Sequence, residues 1–133
     1  VNVRYLDVDS IGRNIDFISI DVSFISLKLV FPVATQLLDR DGCLVCLIKP
    51  QFEAGRNQVG KKGIVRDAQI HKEVIQNVID YGADNNLYSH GLTFSPVTGT
   101  KGNIEYLLFM KKMPFDGVID IDKTVECSHE ELK

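Results

Sequence analysis

No apolar run in the 133 residues approaches the ~20 that a helix needs to cross a bilayer. No segment joins a basic start to a short apolar stretch, as a secretion signal does. A cationic amphipathic helix is also missing, so direct membrane lysis has no physical basis in this chain. Cysteine is scarce, with three residues. Cys43 and Cys46 have a C-x-x-C spacing, but they fall inside a predicted strand, where positions i and i+3 face opposite sides. They read as packing residues, and no metal site is expected. Free thiols without a targeting signal point to the cytoplasm. An overall excess of positive charge is absent, since the net charge is −3. The surface as a whole is therefore not a polyanion binder.

What is present is an ordinary globular composition, 44% hydrophobic and 25% charged, long enough for one domain with a real core. Charge is uneven along it. Between Lys49 and Arg66 five bases (Lys49, Arg56, Lys61, Lys62, Arg66) stand against the single acid Glu53. Beyond Lys112, six acids stand against two lysines. A basic patch on an acidic chain suits phosphate binding, and equally suits a solvated loop.

Leu44 to Ile48 is a continuous apolar run bounded by Gly42 and Pro50, the mark of a strand buried on both faces of a parallel sheet. Similar runs predict strands over 16–22, 87–94 and 104–111. A helical face over 29–38 carries Leu29, Val30, Val33, Ala34, Leu37 and Leu38, with Ser23 or Ser26 as cap and Pro32 in the first turn. Asp41-Gly42 is expected to end that helix. A second helix runs from about Ala68 to Tyr81, capped by Asp67, with Ile70, Val74, Ile75, Val78 and Ile79 inward, His71 on its surface and Gly82 near its end. Residues 51–67 read as a long basic loop, and 95–103 as a turn-rich one. Residues 113–133 read as an acidic tail with little periodicity. Alternating strands and helices imply a mainly parallel sheet, with the last strand antiparallel because no helix precedes it.

Open α/β sheets place ligands at the carboxyl ends of their strands. Asp21 and Lys49 fall at such ends. Glu105 opens a strand running the other way, and so belongs to the same edge of the sheet. A lysine flanked by carboxylates is a candidate proton acceptor for a hydroxyl. A structural salt-bridge cluster, with the lysine reaching out to solvent, is the alternative.

Five segments then carry a resemblance: Asp21-Val22-Ser23-Phe24-Ile25-Ser26-Leu27, Lys49-Pro50-Gln51-Phe52-Glu53-Ala54-Gly55-Arg56, Val59-Gly60-Lys61, Gly63-Ile64-Val65-Arg66-Asp67, and Ser95-Pro96 followed by Gly102-Asn103-Ile104-Glu105-Tyr106. In this order and spacing they resemble the TlyA family of hemolysin-like proteins with an FtsJ-type RNA methyltransferase domain. The likeness runs from about Asn2 to Lys112, which leaves 113–133 as a tail. It implies a partial Rossmann-like methyltransferase fold, S-adenosylmethionine as cofactor, and 2′-O-methylation of ribosomal RNA or a ribosomal subunit. It implies Asp21, Lys49 and Glu105 as three members of a Lys-Asp-Lys-Glu tetrad. It also implies that Asp21, Val22 and Ser23 touch the cofactor. Arg56, Lys61, Lys62 and Arg66 are the bases expected to meet RNA. The family's first tetrad lysine and its glycine-rich cofactor turn have no counterpart here, and Asn2-Val3-Arg4 resembles a segment from the middle of the domain. The sequence thus reads as the second half of that domain, inactive alone and prone to pair through an open sheet edge. A non-catalytic RNA-docking module and a cytolysin are the rival readings.

Overall fold

The structure, a computed structural model, describes residues 15–60 and 62–132. The expectations for Asn2-Val3-Arg4 and for a turn at Asp9–Gly12 lie outside these residues. The chain order is β1 (Ile15–Ile20), α1 (Leu27–Leu37), β2 (Leu38–Ile48), α2 (Pro50–Glu53), α3 (Ala68–Asp84), β3 (Tyr88–Phe94), β4 (Tyr106–Lys111) and α4 (Ile121–Glu131). The sheet order is β1-β2-β4-β3. β1 and β2 are parallel, and β4 runs antiparallel to both β2 and β3. β1, β2 and β3 therefore share one direction, with β4 inserted between β2 and β3. This is an α/β fold with a mixed sheet.

Side-chain alternation shows where the core sits. Leu44, Cys46 and Ile48 of β2 and Tyr106, Leu108 and Met110 of β4 are wholly buried. They point to one face, as period-two strands require. Their alternates Val45, Leu47, Leu107 and Phe109 are only half-buried. The described helices therefore form a layer on one side, with α3 packed between α1 and α4. Cys46 lies on the covered face and Cys43 on the other. Burial pushes the Cys46 thiol far up, so it is inert.

Several local readings are corrected. α1 begins at Leu27, two residues early, because Ser26 caps it by accepting from the Lys28 N–H at 3.1 Å. Its buried stripe is Leu27, Val30, Phe31, Ala34 and Leu37, while Leu29 is exposed. Pro32 thus lies inside the helix, not in its first turn. It faces solvent, where water can serve the carbonyl left without an N–H. Asp41-Gly42 does not end α1. Both residues lie within β2, at an irregularity where the register with β1 shifts. A Cβ at Gly42 would come within 2.8 Å of the Asp16 carbonyl oxygen, so only glycine lets the strands close there.

The supposed loop 51–67 holds α2 and a 3₁₀ turn at Arg56–Gln58. His71 is fully buried, not on the surface. The segment after β4 is not without periodicity either. Asp120 caps α4 by accepting from the Lys123 N–H at 3.0 Å, and Val125 and Ser128 are buried against the core. Lys72 of α3 pairs with Asp122 (3.5 Å) and Glu126 (3.9 Å) of α4.

Candidate active site

Three chain segments meet where β1 and β2 end and β4 begins. Lys49 follows the last residue of β2, and Asp21 the last of β1. Lys49 Nζ lies 2.6 Å from Asp21 Oδ1. The Lys49 side chain is mostly enclosed, 14% exposed against 63% for Asp21. Lys49 also donates to Ser23 Oγ at 3.4 Å, a weaker contact.

Glu105 enters by register. Ile48 pairs with Tyr106 in the antiparallel β2–β4 ladder. One step further puts Lys49 opposite Glu105, on the same side of the sheet. Glu105 is buried, and among the described residues no ion pair joins it to Lys49. Its Oε2 instead accepts from Gln51 Nε2 at 3.1 Å. The structure thus brings Asp21 and Lys49 into contact, while Glu105 is held by Gln51 instead of by the lysine. Gln51 Oε1 is buried and has no hydrogen-bond partner among the described residues. Gly99 lines the other side of Glu105 so closely that a Cβ there would overlap the carboxylate.

The turn after Lys49 is fixed by Glu53. Its Oε1 accepts from Ser26 Oγ at 2.6 Å and its Oε2 from the Leu27 N–H at 2.9 Å. One carboxylate thus joins α2 to the start of α1. Burial raises the Glu53 pKa, and the two hydrogen bonds oppose that rise. Beside it Phe24, in a left-handed backbone conformation (φ 64°) and 89% exposed, packs its ring 4.8 Å from that of Phe52. A strained, exposed aromatic at a strand end is a feature of ligand-binding loops. Of the residues expected to touch a cofactor, Val22 is buried, while Asp21 and Ser23 are exposed beside Phe24. These residues fit one flank of a nucleoside-type cofactor, with a carboxylate, a hydroxyl and an aromatic face.

Of the four bases expected to meet RNA, Lys61 and the side chain of Arg56 lie outside what the structure describes. Lys62 and Arg66 are exposed and line a shallow hollow with Gly60 and Ile64. Sequence reasoning passed over Gln51, Glu53 and Phe24 as working residues, although all three lie in the quoted segments. The proline after Lys49 was the one local signal that the chain turns there. Among the described residues no cluster of potential metal ligands occurs, and no helix is long and apolar enough to cross a membrane.

Residues 1–112 match the FtsJ-like methyltransferase family. YqxC of Bacillus subtilis (strain 168), named as a candidate rRNA methyltransferase, is 44% identical over 99% of this chain and 50% of its own length. The 16S/23S rRNA (cytidine-2′-O)-methyltransferase TlyA of Mycobacterium tuberculosis (strain CDC 1551 / Oshkosh) is 38% identical over 83% of this chain and 41% of its own. The crystal structure of a candidate hemolysin from Lactococcus lactis superposes with a TM-score of 0.89 at 37% identity, over 96% of this chain and 63% of that one. The chain spans about half the length of the relatives it matches. With the mixed sheet and the ordered segments around Asp21, Lys49 and Glu105, these likenesses lead to one assignment: the chain belongs to the FtsJ-like methyltransferase family, among its TlyA-type, hemolysin-like members.

Proposed function

We propose that this chain carries the proton-handling half of a ribosomal-RNA 2′-O-ribose methyltransferase. The observation that carries the reading is the 2.6 Å pair of a mostly enclosed Lys49 with an exposed Asp21, the lysine standing opposite buried Glu105 by strand register. FtsJ-like methyltransferases generally use S-adenosylmethionine, which when bound supplies an electrophilic methyl group. Asp21, Val22 and Ser23 would hold one flank of it. As an ammonium, Lys49 cannot accept a proton, so one of its own must first pass to solvent, which reaches the pair at exposed Asp21. Asp21 then keeps the neutral amine in place by accepting an N–H, and the ribose 2′-hydroxyl gives its proton to Nζ. Glu105, held by Gln51 Nε2, orients the ribose hydroxyl and fixes the angle of attack. Much of the rate comes from such positioning. Arg56, Lys61, Lys62 and Arg66 neutralise RNA phosphates. The substrate is ribosomal RNA or a ribosomal subunit, and the setting is the cytoplasm. Residues 1–112 form the methyltransferase segment, and 113–133 follow it as an acidic segment.

The test is Lys49→Ala in a protein of the relatives' full length, assayed for methyl transfer and for cofactor binding. Transfer should vanish while cofactor affinity stays nearly unchanged, because the lysine acts on the hydroxyl. Transfer that survives the substitution would overturn the assignment of Lys49. Full RNA binding without any transfer by the unsubstituted protein would favour a non-catalytic docking module.

A further inference from the structure

A cavity of about 400 Å³ lies away from the Lys49–Asp21 pair, between 63–66, 101–104 and the end of α4. Its rim carries Arg66 and Lys101, its floor His71 and His129, and its apolar walls Ile64, Val65, Ile104 and Leu132. Among the described residues neither Arg66 nor Lys101 has an ion-pair partner. The cavity is built in advance. Buried Asn103 accepts from the Val65 N–H at 2.9 Å and donates to the Gly63 carbonyl at 2.9 Å, clamping one loop to the other. Lys101 stands in a left-handed conformation (φ 60°), which costs energy in any residue but glycine.

The histidines have a definite proton order. His71 Nε2 is 2.9 Å from the Val65 carbonyl, which can only accept, so this nitrogen carries a hydrogen. The other nitrogen of neutral His71 must then accept, and it takes the Nε2–H of His129 at 2.8 Å. Ser128 Oγ donates to the Val125 carbonyl (2.7 Å) and accepts from Tyr106 OH (2.8 Å). Nδ1 of His129 has no partner among the described residues. A proton added there breaks none of these bonds and creates a donor at the cavity. Burial opposes that proton most, Asp67 favours it and Lys72 opposes it, so the pKa of His129 lies below its ordinary value. Asp122 and Glu126 of α4 are engaged with Lys72, and the Tyr106 hydroxyl, its pKa pushed up to about 12, stays neutral.

We propose that this cavity holds a phosphate of the RNA chain, with Arg66 and Lys101 as its cationic ligands and Nδ1 of His129 as the donor at its floor. This rests on the reading of the chain as an RNA methyltransferase segment. It adds Lys101 and His129, which lie on different elements from the basic run 49–66. Two cations and a chargeable ring around a cavity too small for a folded partner suit a single phosphodiester.

The experiment titrates the 133-residue chain with a single-stranded RNA hexamer, following the His129 ring by NMR and affinity against salt. Binding should raise the pH at which His129 titrates. Lys101→Gly removes the ammonium while easing the backbone, so it tests the charge without threatening the fold. It should cancel the His129 shift and lower the salt slope by about 1. Lys101→Arg should restore both, and Lys123→Ala, on α4 and outside the cavity, should change neither. RNA binding that weakens with Lys62→Ala yet ignores Lys101→Gly, with His129 unmoved, overturns the cavity and leaves the methyltransferase reading standing. A His129 shift with inorganic phosphate but not with RNA also overturns it, as a free-anion site. A His129 response to RNA in a full-length protein that transfers no methyl group supports the cavity and sinks the methyltransferase reading instead.

Discussion

Glu53 shows how much of the site's geometry rests on one side chain away from the chemistry. It satisfies the Leu27 N–H, a donor that a helix start leaves without a partner, and anchors the cap residue Ser26. Glu53→Ala should cost about 1–2 kcal/mol, by analogy with loss of a cap. Urea unfolding measures it, and Glu53→Gln, which keeps both acceptor and shape, should cost less. The His71–His129 pair makes a second residue-scale prediction. Burial is the main cause lowering the pKa of both rings. The unfolded chain therefore binds more protons once the pH drops below the ordinary histidine value of about 6.5. The pair's contribution is fully present above that value and is lost as pH falls below it. The urea midpoint should fall between pH of about 7.5 and about 5.5. His129→Gln should reduce that fall, and an equal fall in the variant would exclude the pair as its source.

At the scale of elements, α4 is the part least visible in the sequence. It buries only Val125 and Ser128 of its eleven residues, so no apolar stripe announces it. Its stability comes from packing on α3, which Val125→Ala tests. Removing two methyl groups at about 0.8 kcal/mol each, plus the cavity left behind, predicts a loss of about 2 kcal/mol in unfolding free energy. No change would mean that α4 is held by its polar contacts, the Lys72 pairs and the bonds of Ser128 and His129, without help from Val125. β1, β4 and the second half of β2 were legible because each is a short apolar run, whereas the first half of β2, Leu38–Gly42, was read as a helix end and turn because it is polar. α1 was misplaced by two residues because Leu29 mimics the stripe that Leu27 fills. His71 was read outward because its partners Tyr106 and His129 lie 35 and 58 residues away in the chain. The same limit applies to the candidate site. Asp21 and Lys49 could be placed from strand ends, whereas Gln51 acquires its role only through Glu105, 54 residues on.

The sheet has an asymmetry that bears on what the whole chain can do alone. Among the described residues β1 pairs only with β2, so its outer edge offers unpaired backbone groups. Phe17 on that strand is 55% exposed, and the sheet face away from the helices carries half-buried Val45, Leu47, Leu107 and Phe109. An open edge beside apolar surface favours pairing with another strand. The same edge flanks Asp21, Val22 and Ser23, the residues proposed to hold one flank of the cofactor. The sequence contains no glycine-rich turn between a strand and a helix, the device by which backbone approaches a nucleotide cofactor closely. The 133-residue chain should therefore bind S-adenosylmethionine more weakly than the micromolar range and show no methyl transfer. It should also associate with itself as its concentration rises, and Phe17→Lys should suppress that association by placing charge on the edge. Calorimetry with S-adenosylmethionine and sedimentation on the same sample check both. Micromolar binding by a monomeric chain would mean that the loop after β1 holds the cofactor unaided, and that the open edge plays no part in its weakness.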